Sequence, residues 1–102
     1  MRHERTMQIS ADQLSDANEI LQRTEFVEDA GRDEVFYSFS VPFGDGIEVD
    51  IKVCNGDGPF VDAILFHNWS EVCVMEPCFE SLDGEYHFYY EDNEYVVFVE
   101  EE

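Results

Sequence analysis

The feature that most constrains the fold is a run of apolar residues at every second position in the middle of the chain. Between residues 47 and 53, four branched apolar side chains alternate with three charged ones. A period of two is typical of a β-strand with one buried side and one solvent-facing side. The same alternation starts near residue 35, after a predicted loop at 28–33, and turn-forming residues follow at 42–46 and 55–59. The pattern predicts neighbouring strands in this region.

Later segments extend this pattern towards the end of the chain. Phe60–His67 and Glu71–Glu76 are predicted strands with a break between them, and residues 86–90 and 95–100 are predicted to form a final hairpin. A longer connection over 77–84 separates the two pairs. Short strands joined by tight turns favour an antiparallel meander of about five to six strands.

A helical segment precedes the strands. Ser10 and Gln13 fit a capping box, and the apolar residues after them recur at helical spacing. This spacing predicts a helix from about Ala11 to Arg23, whereas residues 1–9 are predicted to be a frayed lead-in. With 102 residues the chain is long enough for one core and too short for two. We therefore predict one domain over residues 1–102 of the α+β class, in which an N-terminal helix packs on a mainly antiparallel sheet.

The chain is strongly acidic, with 25 Asp and Glu residues against 5 Lys and Arg and a formal net charge of −20. Aromatic residues make up 15% of it, which is typical of a folded chain and not of a disordered acidic one. Binding to nucleic-acid phosphates or to anionic membranes is excluded, because both need basic side chains. From Val53 to Glu102 there are 13 acids and no Lys or Arg. The expected partner is therefore a basic protein.

Catalytic and metal-binding motifs are not found in the sequence. No glycine-flanked nucleophile accompanies His67 or His87, and Cys54, Cys73 and Cys78 do not have the spacing of a zinc site. Small buried apolar groups are the expected role of these thiols. We therefore predict no catalytic residue, no metal ligand and no cofactor. A small thiol- or metal-dependent enzyme stays open as an alternative of a different class.

The expected location of the protein is the cytoplasm. The first seven residues lack an apolar signal segment, and no stretch approaches 18 consecutive apolar residues. An odd number of cysteines without a paired motif also favours a reducing compartment.

Acidic side chains on the solvent-facing side of the strands are the candidate binding surface. Alternate residues of a strand lie about 6.6 Å apart and neighbouring strands about 4.8 Å apart, so several acidic strands are needed to approach the charge density of DNA, one charge per ~1.7 Å of axis. Exposed aromatic side chains would anchor the centre of such a contact. The candidate aromatic anchors are Phe36, Trp69, Tyr89 and Tyr95. The predicted partner-binding carboxylates are those of Glu48, Asp50, Glu71, Glu85, Glu91, Asp92, Glu94 and Glu100.

The second half of the chain combines a base-free span over 53–102, an acidic tail from Glu91 to Glu102 and many aromatic residues. In size and acidic character the chain resembles small inhibitors that phages encode, namely DNA-mimicking anti-CRISPR and anti-restriction proteins. The resemblance implies a non-enzymatic protein that blocks the basic nucleic-acid-binding groove of a host defence complex, such as a CRISPR effector or a restriction enzyme. It also implies that the protein acts in the cytosol of a bacterial host.

Two alternatives stay open for the role of the acidity. An immunity protein that covers the basic active site of a nuclease toxin would need the same electrostatics. A halophile protein would use the acidity for solubility alone. The sequence also leaves a homodimer open, because an exposed edge strand can pair with its copy by symmetry.

Overall fold

The structure is a computed structural model that describes residues 1–22, 34–55, 59–75 and 81–102. These residues form seven strands and one helix, namely β1 (Arg2–Ile9), α1 (Ala11–Leu21), β2 (Glu34–Gly44), β3 (Ile47–Asn55), β4 (Pro59–His67), β5 (Ser70–Met75), β6 (Gly84–Tyr90) and β7 (Asn93–Glu101). One sheet has the strand order β2-β3-β4-β5 with every pair antiparallel. The other has the order β1-β7-β6, in which β1 is parallel to β7 and β6 is antiparallel to it.

The predicted α+β class with a single sheet of five to six strands is wrong. The chain is mostly β and forms two sheets, with one short helix in the described residues. The predicted meander does not continue from β5 to β6, so the strands divide between two sheets. In addition, residues 1–9, predicted to be frayed, contain β1, which pairs with β7 from Arg2 opposite Glu94 to Ile9 opposite Glu101. Apolar burial holds this strand in place, since Met7 is only 9% exposed and Ile9 only 1%.

The remaining elements agree with the sequence pattern where the structure describes them. The strands on both sides of the predicted turns are present, and the final hairpin is β6–β7. Helix α1 starts at Ala11 as predicted, and Ser10 Oγ accepts a hydrogen bond from the Gln13 backbone N–H at 3.3 Å. The helix ends at Leu21, before the predicted end at Arg23. Arg23, the loop at 28–33 and parts of the 55–59 and 77–84 connections lie outside the described residues.

One apolar core joins the inner faces of both sheets and the buried side of α1. The core side chains of the strands follow the predicted alternation, as β3 shows by burying all four of its apolar inner positions. Among the described residues, no polar or charged side chain is buried. The largest contributors with less than 2% exposure are Tyr86, Ile9, Ile51, Leu65 and Leu82. The acidic side chains that the structure describes therefore all stay at least partly exposed to solvent.

Side-chain contacts connect the edges of the two sheets. Strand β5 lies beside β6, where Cys73 Sγ donates a hydrogen bond to the Tyr89 carbonyl oxygen at 3.1 Å. On the other side, Phe43 at the end of β2 packs edge-on against Tyr95 of β7 with ring centroids 5.3 Å apart. The Arg5 guanidinium of β1 lies 5.3 Å from the centroid of the same Phe43 ring, a cation–π contact. These contacts fix how the two sheets meet.

The side-chain amide of Asn18 docks the helix onto the segment before β6. Its Oδ1 accepts a hydrogen bond from the Leu82 backbone N–H at 2.8 Å, and its Nδ2 donates to Asp83 Oδ1 at 3.1 Å. The Leu82 carbonyl oxygen in turn accepts from the Tyr86 hydroxyl at 2.7 Å, and burial raises the pKa of that tyrosine. Since Leu82 is completely buried, these partners replace the water that its backbone groups lose.

We expect Asn18→Ala to lower the free energy of unfolding by about 1–3 kcal/mol, because the Leu82 N–H is left buried without an acceptor. Ser15→Ala, an exposed position in the same helix, is the control and should change stability by less than about 0.5 kcal/mol. Denaturant unfolding followed by circular dichroism measures both. Equal effects of the two substitutions would show that the Asn18 bridge does not hold the helix.

The role of β1 gives a second prediction. Ile9→Ala should destabilise the fold by about 2–4 kcal/mol, because it empties a fully packed position between β1 and the core. Gln8→Ala, on the exposed side of the same strand, should be close to neutral in the same unfolding measurement. If both variants are neutral, β1 is not part of the cooperative fold.

Candidate functional site

Three two-residue hairpin loops lie at one end of the molecule, which we call the turn end: Asp45–Gly46, Asn68–Trp69 and Glu91–Asp92. The first two loops touch, because the Asn68 N–H donates a hydrogen bond to the Gly46 carbonyl oxygen at 2.9 Å. The third lies beside the second, because His67 Nδ1 and Tyr90 Oη share a hydrogen bond of 2.9 Å. The antiparallel strands thus bring distant parts of the chain to one surface.

All six residues of these loops have positive φ, as the tight turns that match the twist of a β-hairpin require. Gly, Asn and Asp adopt this conformation readily, but Trp69 at φ 70° and Glu91 at φ 49° are uncommon there. Gly46 has a further constraint, since a Cβ on it would lie 2.2 Å from Asn68 Oδ1. The turn end therefore holds a tryptophan and an acid at positions that the turn geometry does not favour, as is common at functional sites.

Two aromatic side chains are left in water near these loops. Trp69 is 89% exposed, and Tyr89, at the end of β6, is 71% exposed. Both were candidate anchors, and their exposure is confirmed. The other two candidates are wrong, because Tyr95 belongs to the buried core and Phe36 is half-buried and packs against that core.

The predicted carboxylates are not arranged on one continuous face. Five of them lie within two residues of the loops of the turn end, namely Glu48, Glu71, Glu91, Asp92 and Glu94. Asp50 lies further along β3, where it accepts a hydrogen bond from Ser40 Oγ at 3.0 Å. Glu85 and Glu100 lie towards the opposite end of the three-stranded sheet. The turn end is therefore the place where predicted acids and exposed aromatic groups meet.

His87 binds two of the predicted acids on the outer face of the three-stranded sheet. Its Nε2 lies 3.0 Å from Glu85 Oε2, and its Nδ1 lies 3.1 Å from Glu94 Oε1. Ionised carboxylates only accept hydrogen bonds, so both contacts are hydrogen bonds in the cationic form of the ring, in which both nitrogens carry a proton. The hydrogen bond to Glu85, followed by the one to Glu94, raises the pKa of His87 above 6.5. Glu85 and Glu94 are thus partly neutralised before any partner binds.

The raised pKa of His87 predicts a pH dependence of stability. In the unfolded chain the ring titrates near pH 6.5, so the stabilisation is complete below that value and is lost as the pH rises through the folded pKa. We expect the free energy of unfolding, relative to His87→Gln, to fall between pH 6 and pH 9. Denaturant unfolding at both values measures this, and an NMR titration of His87 should show a lower pKa in Glu85→Gln. A constant difference between the two proteins would contradict the ion pairs.

Sequence reasoning did not assign two residues of this surface. The sequence explains Asp45 by turn chemistry and gives it no place among the partner-binding acids, although the register of β2–β3 puts it in a loop of the turn end. His87 was seen only as a strand residue. The final hairpin does contain the signal for it, because Glu85 lies on the same face two residues away and Glu94 lies diagonally across from His87 in the strand register.

In the part of the chain that the structure describes, no group of three or more His, Cys, Asp or Glu side chains has an arrangement that could hold a metal ion. Cys54 is buried, in agreement with the predicted apolar role, whereas Cys73 is half-buried and donates a hydrogen bond to the Tyr89 carbonyl oxygen; Cys78 lies outside the described residues. In the described ranges, no helix has the length and apolar character to cross a membrane.

Comparison with known proteins gives no further constraint on the site. No protein-family model matches the chain, and no curated protein or solved structure matches it either.

Proposed function

We propose that this protein is a non-enzymatic inhibitor that binds the basic nucleic-acid-binding groove of another protein and excludes nucleic acid from it. The partner would be a defence complex of a bacterial host, such as a CRISPR effector or a restriction enzyme, in the host cytosol. The observation that carries the proposal is the turn end, where acids of three hairpins lie at the same end of the molecule as the exposed Trp69 and Tyr89.

The charges of the turn end support a basic partner because Glu48, Glu71, Glu91 and Asp92 form no ion pair with the described residues. Two positive groups, Arg2 and the amino terminus, do lie beside the 91–92 loop, where the amino terminus donates a hydrogen bond to the Asp92 carbonyl oxygen at 3.3 Å. In the described residues, the ion pairs are those of Arg2 with Glu4 and of His87 with Glu85 and Glu94. Arg and Lys side chains that normally hold phosphates form strong charge-assisted hydrogen bonds with carboxylates. Long-range attraction to a molecule of charge −20 would also speed the encounter.

The acids lie too far apart to imitate individual phosphates, so their spacing supports imitation of the overall negative charge of DNA. Glu48 and Glu71 share one outer row of the four-stranded sheet with Phe66 between them, so they lie two strand spacings apart, roughly 10 Å. Duplex DNA carries one charge per ~1.7 Å of its axis. We therefore infer that specificity comes from the exposed aromatic residues together with the charges, and not from charge density alone.

The test uses a partner captured from host lysate at low salt on the immobilised protein and identified by mass spectrometry. The purified partner is then assayed for binding to labelled duplex DNA with and without this protein. We expect the protein to displace the DNA and its affinity for the partner to fall as salt rises. A partner that binds DNA equally well beside this protein, or an affinity independent of salt, would contradict the proposal.

Matched charge variants show whether the turn end is the contact. The test variant combines four neutral replacements, Glu48→Gln, Glu71→Gln, Glu91→Gln and Asp92→Asn. The control variant also removes four charges, at exposed positions away from the turn end, by Asp12→Asn, Glu19→Gln, Glu101→Gln and Glu102→Gln. We expect the test variant to lose roughly 30-fold in affinity, from about 0.5 kcal/mol per contact, and the control to lose much less. Equal losses would mean that only net charge matters.

A further inference from the structure

A groove beside Trp69 has a composition that the general acidity of the chain does not explain. It lies on the outer side of the four-stranded sheet, has a volume of about 270 Å³, and its walls include Pro42, Ile47, Phe66, Glu48 and Trp69. We call it the Trp69 groove. Its lining is mainly apolar, so the groove offers contact area as well as charge.

The loop that carries Trp69 is braced, but the indole ring itself has no aromatic partner among the described residues. Its two-residue loop is braced by the hydrogen bond from the Asn68 N–H to the Gly46 carbonyl oxygen. Trp69 is nevertheless 89% exposed. A solvent-exposed indole on a braced loop is a stacking surface that a partner can cover.

The carboxylates around the groove also lack a basic partner. Glu48 is directly opposite Phe66, which is opposite Glu71, so the two acids flank one aromatic ring on the outer face. No ion pair to either acid is formed by the described residues. A basic side chain that enters the groove would therefore meet an aromatic face and a carboxylate together.

Among basic side chains, arginine fits this combination best. Its guanidinium is planar and weakly hydrated, it stacks on indole faces, and it forms paired hydrogen bonds with a carboxylate. The ammonium of lysine is a compact, strongly hydrated charge that gains less from stacking. A nucleotide base could stack on Trp69, but its phosphate would be repelled by the surrounding acids.

We propose that the Trp69 groove binds an arginine side chain of the partner protein, stacked on Trp69 and paired with Glu48. This inference rests on the proposed function, because it names the chemistry by which the turn end recognises a basic groove. It makes the site selective for arginine over lysine, whereas charge attraction alone would accept both equally.

Fluorescence of the protein itself can test this, since Trp69 is the single tryptophan of the chain. Two capped pentapeptides of equal charge, Gly-Arg-Gly-Arg-Gly and Gly-Lys-Gly-Lys-Gly, are titrated at low salt. We expect the arginine peptide to change Trp69 emission and to bind about threefold tighter than the lysine peptide, the size of an exposed cation–π contact. Equal affinity for the two peptides, or unchanged emission, overturns the inference.

Variants then show whether the preference for arginine over lysine comes from the groove. Binding is measured by the fluorescence anisotropy of labelled peptides, because some variants lack tryptophan. Trp69→Leu keeps an apolar side chain and should abolish the preference for arginine, whereas Trp69→Phe should retain part of it. Glu48→Gln should weaken arginine-peptide binding about threefold, and Glu102→Gln, which removes one exposed charge elsewhere, should leave it nearly unchanged. A preference that survives Trp69→Leu overturns the inference.

The outcomes separate this inference from the proposed function. If the peptides show no preference but the captured partner still loses DNA to this protein, the arginine site fails and the inhibitor function stands. If the preference is present but the partner keeps its DNA, the groove binds arginine and the inhibitor function fails.

Discussion

Carboxylates must stay in contact with water, and this requirement determines which side of each strand and of the helix faces the core. An unpaired buried carboxylate would cost far more than one strand can gain by packing, and with 25 acids and 5 basic residues few could be paired inside. The described side chains accordingly include no buried charge. Val96 of the central strand β7 lies between Glu4 and His87 in the strand register, on the face that carries the His87 ion pairs. Val96 itself is completely buried, whereas the charged groups beside it stay exposed to water. The interior is apolar and the outer faces collect the charge.

Local signals made about half of this fold predictable. Alternation identified β3, turn chemistry identified the hairpins, and Ser10 identified the start of α1, because each depends on residues close in sequence. The class of the fold was missed for two reasons. No local pattern shows that β6 pairs with β7 and not with β5, and β1 has no strand signal, since only Met7 and Ile9 mark its inner side and its outer side is charged or polar. Its existence depends on β7, which lies more than 90 residues away in the chain.

The candidate site was predictable in its chemistry but not in its arrangement. The charge pattern of the sequence predicted the partner-binding acids, and most of the predicted ones lie near the loops of the turn end. The outer face on which each acid lies depends on how the strands divide into two sheets. No pattern of residues close in sequence predicts this division. The exposure of Trp69 was foreseen, but the groove beside it arises from contact between two loops, 45–46 and 68–69, that the sequence separates.

The parallel pairing of β1 with β7 has a consequence for the order of events during synthesis. β1 is synthesised about 90 residues before β7, so β1 and the inner side of α1 cannot complete their packing until the chain has been made through residue 101. Pairing across such a sequence separation is entropically costly and slow. In the meantime Met7 and Ile9 are exposed to other chains. The charge of the outer faces, which repels those chains from one another, then protects the protein during the interval before it can close.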